Sequence, residues 1–210
     1  MFQVQSLQFM RHDRILFHDV SFSLQSGEGL LLCGGNGSGK STLLKILAGL
    51  LRPSQGQILF QNESILDSEA FSDARLFIGH QLGLKNNFTV NEMMLSFLAF
   101  RHQARRFFPV DAYLEKFHIQ ALQSRLIKTL SAGQKQKLAL SLAFASQSTL
   151  LLLDEPTSNL DEMGKTHFMA ALRDHLAHQG SVIVSTHQPE CFRDLPMTLL
   201  NLTQRGDEHV

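Results

Sequence analysis

The stretch "LLLCGGNGSGKST", Leu30–Thr42, decides how the rest of the chain is read. An apolar run ends at Cys33, and behind it come glycines at 34, 35, 37 and 39, then Lys40 and two hydroxyl residues. The pattern Gly34-x-x-x-x-Gly39-Lys40-Ser41 fits G-x-x-x-x-G-K-[ST] and sits between a strand-like run and a helix-like run, the context such a loop needs. Glycines let the backbone fold around phosphate oxygens so that successive N–H groups point inward. The following helix N-terminus adds positive potential. Gly34, Gly35, Asn36, Gly37, Ser38, Gly39, Lys40, Ser41 and Thr42 are therefore the expected ATP-binding loop, with Lys40 reaching the β- and γ-phosphates and Ser41 ligating Mg²⁺. A Gly-rich turn that matches by chance is the plain alternative, and the flanking strand and helix weigh against it.

A second stretch, "LLLLDEP" (Leu150–Pro156), supplies the other half of that chemistry. Four leucines bury a strand, and Asp154 emerges at its C-terminal end, where open α/β sheets place ligands. Asp154 is expected to hold Mg²⁺ through water. Glu155 is expected to polarise an attacking water as general base. A strand followed by an acidic turn is the bland alternative, weakened by the phosphate loop upstream.

The remaining pattern is organised around these two stretches. Strand-like runs cover Phe2–Phe9, Ile15–Leu24, Gly29–Cys33, Gln57–Phe60, Arg75–His80, Ser181–His187 and Met197–Leu202, punctuated by Gly and Pro. Helix-like runs cover Ser41–Leu50 and Glu162–His178, and Thr89–Gln147 is helical throughout. Strand–helix alternation at both ends predicts a parallel sheet covered by helices, with the helical middle as an inserted subdomain.

Composition narrows the classes. Lys+Arg and Asp+Glu are 19 each, so there is no basic footprint for nucleic acid. The only cysteines are Cys33 and Cys191, with no CxxC pair, which fits a reducing compartment. The N-terminus does not read as a signal peptide. No apolar run reaches the roughly 18 residues that a membrane-spanning helix needs. Any membrane role is thus expected to come through a partner.

"LSAGQ", Leu130–Gln134, opens a further amphipathic helix with Ser131 as its cap, yet is too small and polar to be core. The ordered set of the phosphate loop, "LSAGQ", "LLLLDEP", "SNLD" and "STHQ" resembles the nucleotide-binding subunit of an ABC transporter across essentially the whole chain. That resemblance implies a P-loop NTPase of α/β class. It would have a RecA-like parallel core, an N-terminal antiparallel β subdomain and an inserted helical subdomain near residues 88–147, all within a single domain spanning residues 1–210. It implies that Leu130, Ser131, Ala132, Gly133 and Gln134 form the signature motif, facing ATP bound by a second copy of the chain. Ala132 stands where the family usually has glycine. At the first turn of a helix φ is negative, so alanine should be tolerated. Gly133 is kept, where a side chain would obstruct the phosphate.

By the same resemblance Gln81 is the loop glutamine that touches Mg²⁺ or the attacking water and relays contact to a membrane subunit, with His80 adjacent. Asp161 couples the two sites across the dimer, and His187 is a donor to the γ-phosphate. Arg11 stands near the position where the family stacks adenine on an aromatic, with His12 beside it, and a guanidinium plane can stack on a base. "GHQLGLK" followed by "FT" and Glu92, together with "STHQPE", the short length and Arg11, resembles the ATP-binding family of cytochrome c maturation, a haem export system. The implied cofactors are ATP and Mg²⁺. The implied partners are a second copy and a multispanning membrane subunit on the cytoplasmic face of the inner membrane, with no direct haem contact. No regulatory C-terminal extension is expected.

Weaker features have bland readings. Arg101, Arg105 and Arg106 in "RHQARRFF" read as a solvated helix face rather than a lipid contact. His187 and Cys191, four apart, read as a switch histidine and a buried thiol rather than a metal or haem site. Two other functions compete. A soluble ABC ATPase acting on DNA or ribosomes generally has two cassettes or a coiled-coil insertion. A catalytically dead module would lack Lys40, Glu155 or His187.

Overall fold

The computed structural model describes residues 1–11, 14–66, 68–101 and 110–202. Two sheets carry the architecture. Strands β1 (Phe2–Arg11), β2 (Arg14–Leu24), β4 (Gln55–Phe60) and β5 (Glu63–Ser64) form an antiparallel sheet in the order β2-β1-β4-β5. Strands β3 (Gly29–Cys33), β6 (Arg75–Ile78), β7 (Leu150–Asp154), β8 (Ser181–Ser185) and β9 (Met197–Asn201) form a parallel sheet in the order β6-β7-β8-β3-β9.

The parallel sheet is the middle layer, which explains its unbroken apolar runs. Every residue of β3, β7 and β8 is buried. Side chains alternate across a strand, so the runs divide between two cores. Leu30, Leu32, Leu150, Leu152 and Ile183 pack with helix α1 (Lys40–Leu47) and the antiparallel sheet. Leu31, Cys33, Leu151, Leu153, Val182 and Val184 pack with the helices of the opposite face. Those include α3 (Val90–Arg101), α4 (Val110–Glu115), α5 (Ala132–Ala145) and α6 (Glu162–Ala177). A strand buried on both faces has no polar side to show, and loses the alternation that marks a half-exposed strand.

Some boundaries differ from the sequence expectation for local reasons. Helix α1 stops at Leu47 rather than Leu50, because Gly49 takes φ +69° and closes the end. Gly49 N–H donates to Ile46 O and Leu50 N–H to Lys45 O, both at 2.9 Å, a Schellman motif. A short helix α2 (Glu69–Ala74), unread in the sequence, starts where the Ser68 hydroxyl accepts from Phe71 N–H. The helical middle is interrupted by 3-10 turns at Gln120–Leu122 and Ile127–Thr129. Glu92 opens α3. Its carboxylate accepts from Thr89 N–H at 2.7 Å while Thr89 Oγ1 accepts from Glu92 N–H, a capping box.

Candidate functional site

Strand order gathers the expected site residues on one edge of the parallel sheet. Parallel strands all point the same way, so the segments leaving their C-terminal ends share an edge. In spatial order these are the loop with Gln81 after β6, Asp154 and Glu155 at the tip of β7, His187 after β8, and the glycine-rich loop after β3. Register aligns Ile78 with Leu153, Asp154 with Ser185, and Leu32 with Ser185.

The glycine-rich loop has a shape suited to an anion. Gly39 caps α1 at φ +95°, a left-handed conformation that a side chain would strain. As it has no side chain to cap with, the first N–H groups of α1 receive no side-chain partner there. Lys40, 7% exposed, turns its ammonium back on the loop, donating to Gly34 O at 2.8 Å and Gly35 O at 3.2 Å. The Ser38 hydroxyl is buried without a hydrogen-bond partner. A Cβ at Gly35 would meet only open space. Cationic head, uncapped helix start and orphaned hydroxyl together fit a bound phosphate chain.

At the tip of β7, Asp154 is 6% exposed. Its Oδ1 accepts from the Ser185 hydroxyl at 2.5 Å, and that hydroxyl oxygen in turn accepts from Glu155 N–H at 3.0 Å. Glu155 N–H also reaches Ser185 O at 3.2 Å. Glu155 itself takes φ +49°, left-handed for a residue with a side chain. Its Oε1 lies 3.1 Å from His187 Nε2. That is ion-pair distance, and this buried oxygen has no hydrogen-bond partner. Burial raises the Glu155 carboxyl above the ordinary range, opposed by the nearby His187 and Lys40 charges and by the His187 backbone N–H, and aided by the Asp154 charge. A carboxyl with raised proton affinity beside an orphaned oxygen is suited to accept a proton from water.

The LSAGQ turn is built as a helix start. Ser131 caps α5, its hydroxyl accepting from Gln134 N–H at 3.2 Å, while Gln134 Oε1 accepts from Ser131 N–H at 3.0 Å. Gln134 is thereby engaged within its own turn. Leu130 is buried at 6%, and Ala132 is the first helical residue. A Cβ at Gly133 would stand 2.7 Å from Asn159 O. Glycine at 133 thus answers to a close backbone approach inside the chain, besides the phosphate clearance read from the sequence. Asp161 caps α6, accepting from Gly164 N–H at 2.8 Å.

The other readings fall as follows. Gln81 and His80 are both exposed. Arg11 is exposed at the end of β1 and pairs across the hairpin with Arg14, while His12 lies outside the described residues. Arg101 is not a purely solvated side chain. It donates to Ser72 O, Asp73 O and Ser148 Oγ, tying α3 to the end of α2. Arg105 and Arg106 lie outside the described residues. His187 and Cys191 do not share a helix, since His187 precedes the 3-10 turn Pro189–Phe192 that carries Cys191. Sequence reasoning missed Ser185, Gln136 and Lys137. Of these, only Ser185 had a visible signal, as the polar residue closing the apolar run "VIV".

Two consecutive carboxylates at the tip of a parallel strand, beside a glycine-rich loop, fit a nucleotide-hydrolysing cassette, and the comparisons specify which. The profile of ABC transporter domains matches residues 17–158, and the chain belongs to that family. It is 36% identical to the cytochrome c biogenesis ATP-binding export protein CcmA of Vibrio cholerae, over 93% of this chain and 95% of the relative. It is 38% identical to the CcmA of Paramagnetospirillum magneticum over 89% and 87%. Its fold matches an ATP-binding cassette solved as a dimer in a post-hydrolysis state with ADP and phosphate. That match has TM-score 0.83 and 23% identity, over 96% of this chain and 95% of that one.

Proposed function

We propose that this ABC ATPase hydrolyses ATP to drive haem export, or release of a haem-loaded chaperone, in cytochrome c maturation. The observation that carries the ATPase half is the juxtaposition at the sheet edge. Glu155, with raised proton affinity, faces His187 at 3.1 Å and feels the charge of the phosphate-loop Lys40. The cargo half rests on the CcmA relatives, which this chain matches almost end to end.

In this reading Gly34–Thr42 cradle the phosphates and Arg11 faces the base. Mg²⁺ suits the donors present: one carboxylate, Asp154, and one hydroxyl, Ser41, leave room for phosphate oxygens and water, which that ion prefers to an all-protein cage. Gln81 completes its surroundings. The ion supplies charge neutralisation on the phosphates. Glu155 takes the proton of the attacking water, and His187 donates to the γ-phosphate. Leu130–Gln134 face the nucleotide of a second copy, and Asp161 links the two sites. The dimeric cassette with ADP and phosphate supports that assembly by analogy. Residues 1–210 act as one nucleotide-binding domain, with 88–147 as the helical subdomain. Among the described residues no helix is long and apolar enough to cross a membrane. In this reading, which rests on the CcmA relatives, the chain docks on a multispanning partner at the cytoplasmic face of the inner membrane, through the Gln81 loop and the helical segment, without touching haem or nucleic acid.

Haem staining of a deletion strain complemented with wild type or Glu155→Gln tests the whole reading. Covalent c-type cytochromes should vanish in the deletion and the mutant while b-type cytochromes persist. Normal c-type levels in the deletion would remove the haem assignment and leave an ABC ATPase of other cargo.

A further inference from the structure

Ser185 is fully buried at the last position of β8, directly opposite Asp154 in the register. Its hydroxyl has one proton to give and lone pairs to receive, and both functions are used. The proton goes to Asp154 Oδ1 at 2.5 Å, and a lone pair takes Glu155 N–H at 3.0 Å. The two consecutive carboxylate residues of the site are thus joined by one side chain from the neighbouring strand. The link has a use at each end. Asp154 has its Oδ1 held from one side, which leaves Oδ2 as the oxygen free of this bond. Glu155 sits at φ +49°, a backbone conformation that needs support from its surroundings. The hydroxyl and carbonyl of Ser185 both receive its N–H.

We propose that Ser185 is a positioning residue for hydrolysis: its hydroxyl aims Asp154 and locks the strained backbone from which Glu155 reaches the attacking water. The proposal rests on the functional reading above. Alanine at 185 removes both bonds with little loss of volume. Threonine keeps the hydroxyl at the cost of a methyl, and cysteine keeps the size but offers only a weak donor and acceptor.

The full chain with Ser185→Ala, Ser185→Cys or Ser185→Thr is measured in two ways. Steady-state hydrolysis should show kcat reduced about tenfold to a hundredfold in the alanine and cysteine variants, the scale of losing a hydrogen bond to a charged group. KM for ATP should hold within about twofold, and threonine should restore most of kcat. Amide exchange in the nucleotide-free chain should quicken at Glu155 in the alanine and cysteine variants, while Leu151–Leu153 stay protected. Wild-type kcat with alanine, or unchanged exchange at Glu155, would overturn the proposal. So would exchange that quickens equally throughout β7 and β8, which marks a packing role. Lys40→Ala is assayed alongside: if it hydrolyses normally, the functional reading itself fails, while a dead Lys40→Ala with an active Ser185→Ala sinks only the role of Ser185.

Discussion

Lys137 Nζ stands 3.0 Å from Asp161 Oδ1, joining the helix that begins at LSAGQ to the residue that caps α6. The same helix sends Gln136 Nε2 to Pro156 O at 2.9 Å and brings Gly133 against Asn159 O. The start of α5 is therefore fastened along the whole loop that follows Glu155. A motif expected to read a partner's nucleotide is mechanically tied to the loop that follows Glu155, the residue proposed as general base.

Gly133→Ala tests that fastening. Its Cβ would fall 2.7 Å from a backbone carbonyl that has little freedom to move. Forcing it in should cost about 1–3 kcal/mol, the usual range for overpacking. Urea denaturation should show the loss, and a midpoint equal to wild type would mean the two segments part freely.

Glu155→Gln keeps the shape of the side chain but makes it a poor base. The protein should bind ATP, turn it over at least about a hundredfold more slowly, and accumulate as an ATP-stabilised dimer. Sizing chromatography with and without Mg-ATP reads this directly. An unchanged elution volume with nucleotide demonstrably bound would count against the two-site sandwich.

Ser131→Arg should leave nucleotide binding intact and stop hydrolysis if, as proposed, LSAGQ serves the site on the other subunit. Lys40→Ala should lose hydrolysis from its own phosphate loop. Mixed together, the two variants form one composite site with both halves sound, so part of the activity should return. Loss of nucleotide binding by monomeric Ser131→Arg would place the motif in cis instead.

Acid should weaken the fold through His175. Burial against Phe144 lowers its proton affinity, partly offset by the contact of Nε2 with Ser181 O at 3.2 Å. A histidine whose folded pKa lies below its unfolded value binds fewer protons when folded, so stability rises with pH through that interval and falls as pH drops below about 6.5. His175→Gln should flatten the slope of thermal midpoint against pH below about 6.5. An identical slope in the variant would exclude His175 as its source.

The sequence by itself determined the chemistry of each local part. Leu30–Thr42 specified a strand, a phosphate turn and a helix start, because glycine spacing and backbone conformation are properties of neighbours in the chain. Apolar runs specified buried strands, and Ser131 specified a cap. What ran out was anything that depends on which strand lies beside which. Ser185 looked like the end of a hydrophobic run until register set it opposite Asp154. Lys137 and Gln136 looked like an ordinary helix face until α5 met the loop from Pro156 to Asp161. Gly133 invited a reading through a partner's phosphate, whereas a carbonyl of the same chain already excludes a side chain there. Gln81, Asp154, His187 and Lys40 stand far apart along the chain, and only the strand order β6-β7-β8-β3 brings the segments that carry them to one edge of the sheet. Local motifs arise from short-range backbone geometry. The site arises from non-local pairing, whose register is set by burial on both faces of a sheet and leaves no mark on any one stretch of sequence.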